Sequence, residues 1–199
     1  EFSKILPERH IFNARVITGF IRPELNKVDV TVHAQPIHLG SLFVEELKGL
    51  TPLAQAIEEG GLPCTVTEEI AKDLWAKMLY NCSLNAMGAI LEVPYGFLGE
   101  KESARKIMGG IIEEVFVVMQ ALNYKTHWRN ARDYLEEFYG KLLPNTYEHE
   151  SSMLQDLRAG KTTEIEAING VIVAEGIKRN IKVPFNFLIY NLIRFLQDK

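Results

Sequence analysis

The stretch between Asp73 and Glu92 combines one ammonium group with two side-chain amides in otherwise apolar surroundings. Its charged residue is Lys77, and Asn81 and Asn85 follow at steps of four. On a helix, each step of four rotates the side chain by about 40°, so the three polar groups lie along one stripe. Such a stripe directs polar groups at a bound molecule. An equally weighted alternative is that Lys77 extends to solvent and the asparagines pair with nearby backbone.

A second polar segment, further along the chain, places hydroxyls, an amide and acids around a predicted helix–turn–helix corner. Backbone amides at a helix start suit anions, and the hydroxyls of Ser151 and Ser152 can add donors. The alternative is helix capping, with Thr163 and Glu166 as a capping box and Glu164 as a favourable first-turn charge. Capping is preferred for Thr163 and Glu166, whereas the spacing does not decide the role of Glu164.

Other motifs of known chemistry do not occur in the sequence. His33, His127 and His149 stand singly, without metal-ligand spacing, so surface or capping roles are preferred over metal binding. No nucleophile-elbow, zinc-protease or phosphate-loop pattern is found, and no GxGxxG dinucleotide fingerprint. We therefore predict no metal site and no nucleotide-binding turn within this chain.

The composition is that of an ordinary globular protein, with 47% hydrophobic residues, 24% charged residues and a formal net charge of -4. Nucleic-acid binders normally present a basic face, so we expect no nucleic-acid partner. The two cysteines, Cys64 and Cys82, form no disulfide framework, which favours a reducing, cytoplasmic location. The first residues show no signal peptide, and the stretch from Leu74 to Leu91 favours a buried helix over a membrane span.

Local patterns place strands first and helices afterwards. Ile11–Arg22 is rich in β-branched residues, Val28–His33 alternates like a half-buried strand, and Pro23–Lys27 would turn the chain between them. A short helix over Thr51–Glu59 and a short strand over Cys64–Thr67 follow. The later predicted helices cover residues 68–91, 101–122, 129–142, 147–159, 163–179 and a segment from about Pro184 toward the C-terminus.

These elements predict two parts, a partial β-containing domain over residues 1–67 and a helical domain over residues 68–199. Two or three strands with one short helix cannot cover both faces of a sheet. We therefore expect the chain to begin in the middle of a larger domain, whereas the helical part has a common size for a domain.

Two motifs resemble those of the ketopantoate reductases. The run from Leu74 to Asn85, LWAKMLYNCSLN, is similar to the family's motif of a tryptophan, a catalytic lysine and two asparagines at four-residue steps. The run SSMLQD from Ser151, followed by Thr163-Glu164-Ile165 and Ile168-Asn169-Gly170, is similar to the second motif, which is specific to the family. The order and separation of the motifs also fit, so the resemblance covers essentially the whole chain.

The resemblance implies a mainly α fold: a helical C-terminal domain of the 6-phosphogluconate-dehydrogenase-like type, preceded by a small β-containing remnant of a Rossmann domain. It also implies reduction of the 2-oxo acid 2-dehydropantoate (ketopantoate) to pantoate with NADPH, a step toward coenzyme A. The cofactor would be bound mainly by a preceding nucleotide-binding half. We further expect a homodimer formed through the helical domain, with neither nucleic acid nor membrane as a partner.

The same resemblance assigns roles to individual residues. Lys77 is the proton donor, and Glu164 contacts the nicotinamide nucleotide. The residues that bind or line the substrate are Asn81, Asn85, Ser152, Met153, Leu154 and Gln155. Within that set, Ser152 holds the substrate carboxylate. The residue types suit the reaction, because hydride addition to a ketone builds an alkoxide that an ammonium group can stabilise and protonate.

One position departs from the family pattern. Where the family often has asparagine in a proline–asparagine–glycine turn, this sequence has Pro94-Tyr95-Gly96. Tyr95 either points into the pocket and favours a smaller or flatter 2-oxo acid, or packs on the helical core with its hydroxyl in water. We prefer the second arrangement. Two further functions stay open: a related reductase acting on another 2-oxo acid, and a helical association module without catalysis.

Overall fold

The computed structural model describes residues 2–33 and 35–199, with their side chains except those of residues 21 and 31–33. The chain divides into two compact units, Glu1–Leu74 and Trp75–Lys199. The predicted strand over 28–33 can therefore be compared through its backbone, whereas the side chain of His33 lies outside the described residues.

Short strands and a helix build the first unit. In chain order they are β1 (Asn13–Arg15), β2 (Thr18–Glu24), β3 (Lys27–His33), β4 (Ile37–Gly40), α1 (Thr51–Glu59) and β5 (Cys64–Val66), with 3-10 turns at Phe2–Lys4, Glu8–His10 and Lys48–Leu50. Strand β4 is central in a sheet of order β1-β4-β5, antiparallel to β1 and parallel to β5. Strands β2 and β3 form a separate antiparallel hairpin.

The hairpin and α1 agree in position with the sequence predictions. The half-buried character predicted for the strand over 28–33 is wrong at Val28 and Val30, which are exposed, and the first predicted strand is wrong in extent. The run over 11–22 divides into β1 and β2, because β1 pairs with β4 whereas β2 pairs with β3. The turn is also narrower than predicted, with Leu25 and Asn26 between the strands and Pro23 inside β2. Pro23 has no backbone N–H to donate, and the pairing register shifts where it lies.

The core of the first unit is small. It forms where β4 and β5 pack under α1, and its buried members are Ile37, Leu39, Leu50, Ala54 and Cys64. The sequence patterns do not predict β4, although it is the central strand, because four residues are too few to establish a strand period.

The sheet also fixes the start of α2 (Ile70–Leu91). A Cβ on Gly40 would lie 2.6 Å from the Thr67 carbonyl oxygen and from Ile70 Cβ, so only glycine permits this approach. His38 Nδ1 lies 2.7 Å from Asp73 Oδ2 and 2.8 Å from Arg15 Nη2. One ring nitrogen cannot donate to Asp73 and accept from Arg15 at once, so the proton on His38 selects one partner.

Helices make up the second unit, which begins at Trp75 within α2. They are α3 (Tyr95–Glu100), α4 (Glu102–Ala121), α5 (Ala131–Glu137), α6 (Ser152–Arg158), α7 (Asn169–Lys178) and α8 (Pro184–Gln197), with a π-helical turn at Phe138–Leu142 and 3-10 turns at Pro144–Thr146 and Ile165–Ala167. None of the helices among the described residues has the length and apolarity needed to cross a membrane.

Local sequence signals fix the ends of several helices. Thr67 Oγ1 accepts a hydrogen bond from Glu69 N at 3.0 Å, and α2 begins at Ile70, two residues later than predicted. Its end at Leu91 agrees with the prediction, and Glu92 leaves the helix with a positive φ of 54°. Helices α4 and α8, and α5 with its π-helical extension, also agree with their predicted ranges within two residues.

Two predicted helices are shorter than the patterns indicate. The helix over 147–159 begins only at Ser152, because the carbonyls of Tyr147 and His149 accept hydrogen bonds from the first backbone amides of α3. The helix over 163–179 divides into a 3-10 turn and α7. The predicted capping box is wrong, because the carboxylate of Glu166 accepts hydrogen bonds from the Tyr190 hydroxyl on α8 at 2.8 and 2.9 Å.

The core of the second unit is large and includes the middle of α2. Fully enclosed members from four helices are Leu79, Leu84, Met108, Ile111, Ile112, Val115, Ile172 and Ile193. The polar stripe predicted on α2 is therefore carried by a helix whose other faces are packed. A packed helix holds its side chains in a narrow range of positions, which suits a binding site.

Candidate functional site

Helix α2 carries the lysine and both asparagines of the predicted stripe. Lys77 and Asn81 are half-buried, whereas Asn85 is buried with 6% of its surface exposed. Lys77 lies about two turns before Asn85 on the helix, and Asn81 about one turn before it. The stripe therefore runs from two half-buried positions to a buried one.

Asn85 is the residue of this stripe with the best-defined surroundings. Its side-chain Oδ1 accepts a hydrogen bond from the Tyr95 hydroxyl at 2.5 Å. Its backbone oxygen accepts one from Ser151 Oγ at 2.7 Å. These contacts join α2 to the starts of α3 and α6, and we call Asn85, Tyr95 and Ser151 the Asn85 network.

Ser151 fixes the second predicted segment against α2. It is fully buried and is the N-cap of α6, accepting hydrogen bonds from Met153 N at 3.1 Å and Leu154 N at 3.4 Å. Ser152, the predicted carboxylate ligand, follows it directly and is exposed. The buried serine therefore positions the helix start, and the exposed serine is left with a hydroxyl that a ligand can reach.

The other predicted residues of α6 differ in exposure. Met153 and Leu154 are each 2% exposed and belong to the main core. Gln155 is exposed, and its Nε2 donates a long hydrogen bond of 3.5 Å to the Glu150 carbonyl. Met153 and Leu154 thus anchor α6 in the core, whereas the Gln155 side chain is exposed to solvent.

Tyr95 is held from several sides. Its backbone N–H donates to the His149 carbonyl at 3.0 Å, and its ring centroid lies 5.1 Å from the His149 ring and 6.0 Å from that of Tyr80. A Cβ on Gly96 would lie 2.0 Å from the Tyr147 ring, so glycine is required beside it. Burial raises the pKa of Tyr95, and that of Tyr80 to about 12, so both hydroxyls stay protonated to a higher pH than an ordinary tyrosine.

The position of Tyr95 differs in part from both arrangements considered from the sequence. The side chain packs in the helical core, as preferred, with only 2% of its surface exposed. The expectation that its hydroxyl stays in water is wrong, because the hydroxyl donates to Asn85. Sequence reasoning did not pair these residues, since ten positions and a helix end separate them.

A second asparagine-centred cluster joins α2 to α4, α7 and α8. Asn169 Nδ2 donates to the Cys82 carbonyl at 3.1 Å and to Asn186 Oδ1 at 3.0 Å. Asn186 Nδ2 donates to Glu114 at 2.7 Å, and the Glu114 carboxylate also accepts the backbone N–H groups of Phe185 and Asn186. We call Cys82, Asn169, Asn186 and Glu114 the Asn169 network.

The Asn169 network contains groups that the sequence patterns did not identify as important. Glu114 is 8% exposed and caps the start of α8 from another helix. An available signal is that Glu114 lies beside Val115 on a helix whose apolar residues recur at helical spacing. An acid so close to an apolar face indicates a buried partner.

Glu164, the predicted nucleotide contact, makes no hydrogen bond to either network among the described residues. It is exposed before the 3-10 turn Ile165–Ala167. Within residues 2–33 and 35–199, no hydrogen bond or ion pair engages its carboxylate. In the same described ranges, no group of three or more histidine, cysteine, aspartate or glutamate side chains is arranged to hold a metal ion.

Comparisons with known proteins identify relatives of this chain. The 2-dehydropantoate 2-reductase of Aquifex aeolicus (strain VF5) is 37% identical over 195 residues, covering 96% of this chain and 60% of the relative. The chain therefore spans about 60% of the length of that curated relative.

Solved structures share the fold. A PanE/ApbA family ketopantoate reductase from Ralstonia eutropha JMP134 matches with a TM-score of 0.79 and 27% identity, over 94% of this chain and 59% of that one. D-mandelate dehydrogenase with NADH and anilino(oxo)acetate matches with a TM-score of 0.85 and 22% identity, over 99% and 63%. A dimeric ketopantoate reductase from Staphylococcus aureus matches with a TM-score of 0.76 and 17% identity, over 94% and 61%.

Residues 69–197 match the protein family described as "Ketopantoate reductase PanE/ApbA C terminal". The match runs from just before the start of α2 to the last residue of α8. That range includes the lysine–asparagine stripe and the Ser151 segment, the two motifs on which the sequence resemblance rests. The chain belongs to the ketopantoate reductase C-terminal family.

Proposed function

We propose that this chain forms the substrate-binding part of an NADPH-dependent 2-dehydropantoate 2-reductase and supplies its proton donor. The observation that carries the proposal is the hydrogen bond from Ser151 Oγ to the Asn85 backbone, which brings the two family motifs together across 66 positions of sequence. Family membership and the Aquifex aeolicus relative support the same reaction.

In the proposed reaction, each polar residue of the stripe has a separate task. The ammonium group of Lys77 donates a proton to the oxygen of the 2-oxo group as C2 receives a hydride, so the ketone becomes an alcohol. Asn81 and Asn85 orient the substrate without adding charge. The exposed hydroxyl of Ser152 donates to the substrate carboxylate, and Gln155 lines the same site.

The cofactor contact proposed for this chain is Glu164. A bound NADPH supplies the hydride. The exposed Glu164 carboxylate, without a partner among the described side chains, fits an acceptor for sugar hydroxyls of the nucleotide. It does not fit the pyrophosphate, which a glycine-rich turn at a helix start normally holds. We therefore propose that most of the nucleotide is bound by a part of the protein outside this chain.

Calorimetry tests this division of labour. The chain by itself should bind NADPH weakly or not at all, whereas the natural protein that contains it should bind in the micromolar range or tighter. The same titration with ketopantoate, before and after saturation with NADPH, measures the substrate site. Micromolar binding of NADPH to the chain alone would overturn the assignment of the nucleotide site.

The domain organisation and assembly are also proposals. We propose that residues 1–67 are the end of a Rossmann domain and that residues 68–199 form the helical substrate-binding domain. We further propose a homodimer through the helical domain; the Staphylococcus aureus ketopantoate reductase is dimeric. Helix α8 supports this, since it exposes the large apolar side chains of Phe187, Leu188 and Phe195. Light scattering of the natural protein and of a Leu188→Glu, Phe195→Glu variant tests this.

Tyr95 favours one alternative function, a related reductase for another 2-oxo acid. It stands where the family often has a substrate-contacting asparagine, and the D-mandelate dehydrogenase match shows that this fold also occurs in an enzyme with a different name. A panel of 2-oxo acids, measured with NADPH and the natural protein, separates the two functions. A kcat/KM for another 2-oxo acid at least tenfold above that for ketopantoate would select the alternative.

A further inference from the structure

We propose that Tyr95 is a positioning residue that fixes the Asn85 amide, so that Asn85 presents only N–H donors to the substrate. The inference rests on the proposed function and deepens it. It means that Asn85 selects a substrate oxygen that accepts hydrogen bonds, such as a carboxylate or keto oxygen, over a group that must donate one.

The first step of the argument concerns the amide oxygen. A side-chain amide has one acceptor end and one donor end, and the two are exchanged by rotation of the terminal bond. The Tyr95 hydroxyl donates to Asn85 Oδ1 at 2.5 Å. The bond to Oδ1 is the hydrogen bond that this buried hydroxyl makes among the described residues, so an amide that turned its nitrogen toward Tyr95 would leave the hydroxyl proton without that acceptor.

The second step concerns the amide nitrogen. Among residues 2–33 and 35–199, no hydrogen bond engages Asn85 Nδ2. In the described part of the chain, the fully enclosed polar side-chain atoms without a partner are Arg15 Nη1, Tyr134 Oη and Asn169 Oδ1. Since Asn85 Nδ2 is not one of them, it keeps contact with the molecular surface. The donor end of a largely buried amide thus keeps some exposure to solvent, where a ligand could reach it.

The third step concerns rigidity. The backbone of Asn85 is held by Ser151, and that of Tyr95 by the His149 carbonyl, at 2.7 and 3.0 Å. A Cβ on Gly88 would lie 3.3 Å from both Ser151 Cβ and a Tyr95 ring carbon, so the three segments are in close contact. The hydrogen bonds and the close packing hold both partners of the amide in place, so the amide orientation is set before any substrate binds.

A double-mutant cycle in the natural protein tests the inference. The proteins are wild type, Tyr95→Phe, Asn85→Ala and the double variant, with Tyr80→Phe as the matched control. Tyr80 also lies in this aromatic cluster, but its hydroxyl bonds to Thr146 at 2.5 Å and not to Asn85. The measurements are kcat, the KM values for ketopantoate and NADPH, and the melting temperature.

We expect Tyr95→Phe to raise the KM for ketopantoate about tenfold and to leave the KM for NADPH unchanged. In the Asn85→Ala background the same substitution should have no further effect, because its target is gone. Tyr80→Phe should leave both KM values unchanged while lowering the melting temperature about as much as Tyr95→Phe does. An equal effect of Tyr95→Phe in both backgrounds, or no effect in either, would overturn the inference.

An activity-independent measurement separates this inference from the proposed function. In ¹⁵N-labelled protein, Tyr95→Phe should shift the Asn85 side-chain amide signals, whereas Tyr80→Phe should leave them in place. If wild type reduces none of the 2-oxo acids in the panel, the proposed function fails and the amide signals alone decide the role of Tyr95. Unshifted signals in Tyr95→Phe would refute the positioning role whatever the turnover.

Discussion

The Asn85 network and the Asn169 network each join helix α2 to other helices through a buried asparagine, Asn85 on α2 itself and Asn169 on α7, but they use the asparagine amide differently. In the Asn169 network, Asn169 Nδ2 is shared by two protein acceptors, Cys82 O and Asn186 Oδ1. In the Asn85 network, the protein takes the amide oxygen and leaves the amide nitrogen unbonded among the described residues. Burial does not separate the two asparagines, whereas the destination of their N–H groups does.

The charged residues of the two regions differ in burial, since Glu114 is 8% exposed and Lys77 is half-buried. The Glu114 carboxylate is committed to three N–H donors of α8, so its charge is compensated inside the protein. Lys77 is half-buried on the stripe that leads to Asn85. We therefore expect substitutions in the Asn169 network to reduce stability, and substitutions along the stripe of Lys77, Asn81 and Asn85 to reduce activity.

Lys77→Ala should give the largest effect and act on turnover alone. Loss of a general acid typically lowers turnover by about 100- to 10,000-fold. Alanine favours helix, so the circular dichroism spectrum and melting temperature should stay close to wild type. Lys72→Ala, on the same helix and paired with Glu69, is the control and should retain normal turnover. Near-normal turnover in Lys77→Ala would mean that another group donates the proton.

Glu114→Ala should give the next largest effect and act on stability alone. The substitution leaves the N–H groups of Phe185 and Asn186 without their acceptor inside the fold, at a cost of about 3 kcal/mol. Denaturant unfolding of the natural protein measures this cost, and kcat per folded molecule should stay within about twofold of wild type. Glu113→Ala, at the exposed neighbouring position, should change stability by less than about 0.5 kcal/mol.

Ser151 and Ser152 differ in the same way at adjacent positions, since the first should act on stability and the second on substrate binding. Both effects should be smaller than those of Lys77→Ala and Glu114→Ala. Ser151→Ala removes the α6 cap and the bond to Asn85, and should cost about 1–2 kcal/mol of stability. Ser152→Ala should leave stability unchanged and raise the KM for ketopantoate by about ten- to hundredfold, the worth of one hydrogen bond to a charged group. If Ser152→Ala raised only the KM for NADPH, its assigned ligand would be wrong.

Local signals account for the parts of the fold that could be predicted from sequence. Helix α1 has proline in its first turn and glycines after it, and α8 begins at Pro184, so short-range capping fixes both. Strand β4 and the late start of α6 depend on partners far along the chain. The carbonyls of Tyr147 and His149, for example, are used by α3. Contacts of this kind leave no periodic pattern in the sequence.

The candidate site divides in the same way. The spacing of Lys77, Asn81 and Asn85 was sufficient to place them on one stripe of a helix. The roles of Tyr95 and Ser151 depend on hydrogen bonds between different helices, so the sequence alone suggested an open hydroxyl for both. Physical reasoning from sequence therefore identified residues on one element more readily than residues that meet across elements.

Glu164→Ala should give the smallest effect and act on the nucleotide. A lost hydrogen bond between the carboxylate and a sugar hydroxyl costs about 1 kcal/mol, so the KM for NADPH should rise about fivefold, with the KM for ketopantoate unchanged. Glu166→Ala is the matched control, two residues away and also exposed. Its carboxylate already accepts from Tyr190 and lies 3.6 Å from Arg194 Nε. That control should leave the KM for NADPH unchanged and cost less than about 1 kcal/mol of stability, as expected for an exposed pair. If Glu166→Ala raised the KM for NADPH as much as Glu164→Ala, the effect would belong to the shape of the 3-10 turn and not to a direct contact of Glu164.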